Sequence, residues 1–60
     1  MIRILLIEDD AAQRSALEEY LGSLSEEFQV IAVGNIADAK SILESEKFSL
    51  IISDLFLPDD

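Results

Sequence analysis

Two groups of acids sit where apolar runs end. Glu8-Asp9-Asp10 follows Ile4-Leu5-Leu6-Ile7, and Asp54 follows Leu50-Ile51-Ile52-Ser53. If both runs are buried parallel strands, both groups converge on one end of one sheet, where open α/β sheets place their ligands. Carboxylates gathered in a partly desolvated crevice repel one another unless a cation lies among them. The chemistry that suits this pattern is divalent-metal binding. A lone acidic triplet more often forms a solvated turn with a helix cap, and Asp54 alone could merely end a strand; it is their pairing that favours a metal site. Asp59 and Asp60 read as a solvated terminus.

The elements that must position these residues follow from periodicity. Ile2 to Ile7 is β-branched and almost continuously apolar, as a strand covered on both faces should be. Leu17, Leu21 and Leu24 recur at helical spacing with Glu18 and Glu19 on the opposite face, which predicts an amphipathic core-facing helix from about Ala11 to Leu24. Asp9 or Asp10 can cap it. Glu26 and Glu27 would oppose the dipole in a last turn, so the helix should end near Ser23 to Ser25. Phe28 to Val33 reads as a second strand and Gly34-Asn35 as a break. There Asn35 caps a second helix, Ile36 to Ser45, with Asp38 in the place a capping box gives to Glu. Ile36, Ala39, Ile42 and Leu43 form its core stripe, leaving Asp38, Lys40, Glu44 and Glu46 to solvent. Phe48 or Ser49 to Ser53 is the third strand, and Pro58 marks a loop.

Strands alternating with helices through short connections predict a parallel sheet with right-handed crossovers. Two helices cannot cover both faces of three such strands, so apolar surface beside the third strand should stay open. At 60 residues, half of them apolar and none cysteine, the chain lies near the lower limit for independent folding and has no disulfide to help. Self-association through the uncovered sheet, or a continuation that covers it, is expected. The net charge of −9, with only Arg3, Arg14, Lys40 and Lys47 as cations, argues against direct nucleic-acid contact. No apolar run approaches the roughly twenty residues of a membrane span, and acids arrive too early for a signal peptide. The expected location is cytoplasmic.

Ile4 to Asp10, ending in Glu8-Asp9-Asp10, together with Leu50-Ile51-Ile52-Ser53-Asp54-Leu55-Phe56-Leu57-Pro58-Asp59, closely resembles the receiver domain of bacterial two-component response regulators. The resemblance covers the whole chain, including the spacing between the two motifs. It implies a flavodoxin-like, doubly wound fold with the first strand central, of which residues 1–60 form the N-terminal βαβαβ half, ending after the phosphoacceptor loop. It further implies that Asp54 accepts a phosphoryl group from a sensor histidine kinase or phosphotransfer protein. Magnesium would be held by Asp9 directly, by Glu8 mainly through water, by Asp54 and by the backbone carbonyl of Phe56. Asp10 falls at a variable position and suits a cap better than a ligand. The Thr or Ser and the Lys that contact the phosphoryl group in that family fall outside these residues. Of the four cations here, only Arg14 lies near the crevice.

Magnesium suits this role because it takes oxygen ligands, keeps several waters and bridges carboxylate to phosphate. Phosphoryl transfer depends mainly on positioning and charge neutralisation, so few residues suffice. The expected protein is therefore a phosphoacceptor rather than an enzyme with its own turnover. A second reading is a phosphorylation-incompetent half-domain that serves as an oligomerisation or interaction unit. A haloacid-dehalogenase-type enzyme also uses a strand-terminal Asp with magnesium, but it needs a second Asp where this chain has Phe56.

Overall fold

A computed structural model describes residues 1–53. Within them the chain runs β1 (Ile2–Ile7), α1 (Ala11–Leu24), β2 (Phe28–Val33), α2 (Ile36–Ser45) and β3 (Leu50–Ser53). Both helices and the first two strands have the predicted limits. β3 starts at Leu50 because Phe48 is drawn onto the core, although the Ser49 amide already donates to the Arg3 carbonyl at 2.8 Å.

All three strands are parallel, in the order β2-β1-β3. β1 is therefore the centre, and Ile4, Leu5 and Leu6 are essentially closed to solvent. This explains why Ile4 to Ile7 carry no polar alternation: each successive side chain there meets a covered face. Leu5 and Ile7 pack with Ala39 of α2, and Ile31, Val33, Ile42 and Phe48 close around them. Ile4 and Leu6 point to the opposite face. The β1-to-β2 and β2-to-β3 crossovers step across the sheet in opposite directions, so right-handed connections put α1 and α2 on opposite faces.

The helix ends are set locally. The Asp10 carboxylate accepts the Gln13 amide at 2.9 Å, which settles the choice between Asp9 and Asp10 as cap. Asn35 Oδ1 accepts the Asp38 amide at 2.7 Å. The return bond of this capping pair runs from the Asn35 side-chain amide to the Asp38 carboxylate rather than from the Asn35 backbone.

Three residues of the expected core stripes are not buried: Leu24, Ile36 and Leu43 are exposed, as is Tyr20. Leu17 and Leu21 are half-buried. Helical periodicity identifies the apolar face, but a three-stranded sheet is too narrow to cover all of it. The expected open surface lies on β3, where Leu50 and Ile51, which point to opposite faces, are each 50% exposed. Glu46 departs from its solvent assignment by pairing with Arg3.

Candidate functional site at the carboxyl end of the sheet

The three strands finish together. Ile7 at the end of β1 is paired with Val33 on one side and with Ser53 on the other. The Glu8 amide extends this ladder by donating to the Val33 carbonyl at 3.0 Å. Residues 8 and 54 thus each follow a member of a directly paired couple, Ile7 and Ser53. Asp54, the Phe56 carbonyl and Pro58, as well as Asp59 and Asp60, lie outside the described residues.

The three acids after β1 have different environments. Glu8 is only 3% exposed, and its Oε2 accepts the Asp10 amide at 3.0 Å. Burial of a carboxylate requires compensating donors or a cation, and that amide is one such donor. Asp9 is exposed, and its carboxylate makes no hydrogen bond or ion pair among the described residues. Asp10 is occupied by capping α1. The structure therefore brings Glu8 and Asp9 together at the mouth of the sheet and gives Asp10 to the helix.

This donor set fits a hard divalent cation in kind, because both side chains offer oxygen and Asp9 is open to solvent. The described residues include no group of three acids, histidines or cysteines able to enclose an ion. Glu8 and Asp9 thus offer two oxygen donors side by side, short of an enclosing set among the described residues.

Two further residues shape the site. Arg14, on the first turns of α1, donates from Nη1 to the Glu8 carbonyl at 3.0 Å. Its guanidinium lies against Gly34, where an added Cβ would stand 2.8 Å from Nη1. Reading the sequence placed Arg14 near the crevice and Gly34 at a break without connecting them. The only signal was that Arg14 falls four residues after the cap, on the turn that faces back across the sheet end.

A parallel β2-β1-β3 sheet with a helix on each face, and acids beyond its carboxyl edge, defines an α/β unit of the flavodoxin-like, doubly wound class. The chain belongs to the response regulator receiver domain family, whose model matches residues 4–60. It is similar to the response regulator protein FleR of Pseudomonas aeruginosa, with 43% identity over 56 residues, 93% of this chain. It is also similar to the hydrogenase transcriptional regulatory protein HoxA of Bradyrhizobium diazoefficiens, with 35% identity over 57 residues, 95% of this chain. The chain spans 11% of the length of each. No solved structure matches it significantly. Family membership places the chain in two-component signalling, as the motif pair implied. Among the described residues no helix is long and apolar enough to cross a membrane.

Proposed function

We propose that this chain carries the phosphoacceptor of a receiver domain, with Asp54 as nucleophile and Glu8 and Asp9 as carboxylates that hold magnesium beside it. The observation that carries the reading is the register of β1 against β3, with Ile7 opposite Ser53, so that both acidic motifs leave the sheet from paired positions. In the transfer, an Asp54 carboxylate oxygen forms a bond to phosphorus as the bond from phosphorus to the donor's histidine nitrogen breaks, leaving an acyl phosphate and a neutral histidine. A divalent cation held there would neutralise charge between the carboxylates and the incoming phosphoryl oxygens. Asp9 directly, Glu8 mainly through water, Asp54 and the Phe56 carbonyl would hold that cation, while Asp10 caps α1 behind them. The phosphoryl donor is a sensor histidine kinase or a phosphotransfer protein.

The test is phosphorylation by a small-molecule phosphodonor with magnesium, read by mass spectrometry on a complete receiver containing this segment. Asp54→Asn is expected to abolish the phosphoryl adduct, and an adduct that persists on the variant would refute the assignment.

A second reading, a half-domain that assembles through its own sheet, is favoured by one observation: both faces of β3 are half open at Leu50 and Ile51. An uncovered, uncharged edge strand is a template for pairing.

A further inference from the structure

We propose that Arg14 and Gly34 form a clasp that positions the acidic loop, with Arg14 acting as a positioning residue. The Glu8 backbone is held from two sides. Its amide is tied to β2 through the Val33 carbonyl, and its carbonyl is tied to α1 through Arg14 Nη1, each at 3.0 Å. The next residue is Asp9, whose side chain has no partner among the described residues. Its direction is therefore set by its backbone, and that backbone begins at the clasped peptide.

Gly34 is the other half of the device. A Cβ there would meet Arg14 Nη1 at 2.8 Å and Cζ at 3.6 Å, and would stand 3.9 Å from the Glu8 carbonyl oxygen. The first of these distances cannot be sustained, so something must move. What moves most cheaply is the tip of the arginine, a flexible side chain, rather than the sheet. Gly34→Ala is thus expected to displace the guanidinium while leaving the fold intact, and Arg14→Gln to remove the same bond from the other side. Ligand sites lose affinity when the residues orienting their ligands are removed, by about tenfold or more.

The functional consequence rests on the cation-binding reading above, so the test has two readouts. Mn²⁺, a paramagnetic hard cation, is titrated into the full chain and its binding followed by electron paramagnetic resonance. Amide hydrogen exchange is followed in parallel at Glu8 and Asp10. Both single variants are expected to weaken Mn²⁺ binding about tenfold or more and to speed exchange at Asp10. The double variant is expected to be no worse than either single one, because both break one contact. Circular dichroism distinguishes loosening from unfolding, and Gly34→Ala supplies the decisive case should Arg14→Gln fail to fold. Unchanged exchange and affinity, or effects that simply add, would overturn the clasp. So would tighter Mn²⁺ binding on loss of Arg14, which would mean that its charge repels the cation. Failure of the parent chain to bind Mn²⁺ would defeat the cation reading alone, since exchange at Asp10 still decides the clasp.

Discussion

Arg3 fastens the opposite end of β1. Its guanidinium pairs with Glu46, lies 4.8 Å from the Phe48 ring centroid and donates to the Lys47 carbonyl at 3.3 Å. One side chain thereby ties the start of the central strand to the connection between α2 and β3. The pair is partly open, with side-chain exposures of 29% and 40%, so solvent screening holds the ion pair to a fraction of a kcal/mol. The stacked ring adds about 0.5–1 kcal/mol. Arg3→Ala is accordingly expected to lower unfolding free energy by about 1–2 kcal/mol, counting lost packing of the arginine stem. Glu46→Gln should cost less and mainly at low salt. Urea denaturation at two ionic strengths checks both. None of this was legible in the sequence, where Arg3 is merely remote from the crevice and Glu46 a solvent-side residue of a helix. A contact between residues 43 positions apart depends on strand register, which local pattern does not carry. The cap was nearer the surface of the sequence, which narrowed it to Asp9 or Asp10, and the structure gives it to Asp10, the residue directly before the helix.

The elements themselves were readable because their limits are decided by neighbours in the chain. Asn35 and Asp38 mark the start of α2 by a hydrogen-bonding pattern confined to four residues, and Ser25 ends α1 before the Glu26-Glu27 pair. Asn35→Ala removes the acceptor for the Asp38 amide and the donor to its carboxylate, and is expected to cost about 1 kcal/mol. Thermal unfolding followed by circular dichroism should show a lower midpoint, with Asn35→Ser recovering part of the loss and Asn35→Asp less, because it sets a second carboxylate against that of Asp38. What periodicity could not tell was how much of each apolar stripe finds a neighbour. Leu24, Ile36 and Leu43 have the right spacing for a core yet remain open, because burial depends on the width of the sheet beneath them.

For the molecule as a whole, the alternation of strands and helices was sufficient to predict a parallel sheet, and the family resemblance to predict β1 at its centre. The acids were legible as two separated motifs; the register that aligns Ile7 with Ser53 had to come from the structure. The open β3 has a measurable consequence. Light scattering of the chain across a concentration series is expected to show association, and Ile51→Lys, a charge on the exposed edge strand, is expected to suppress it. A concentration-independent monomer mass for the parent would exclude that behaviour. The central place of β1 carries a consequence of another kind. The strand that leads into Glu8 and Asp9 is also the one whose Ile4, Leu5 and Leu6 are the largest fully buried side chains among the described residues, so the core runs directly into the acidic loop. A change of side-chain volume at Leu5 or Leu6 will therefore move the backbone of Glu8 and Asp9 too, without touching either acid.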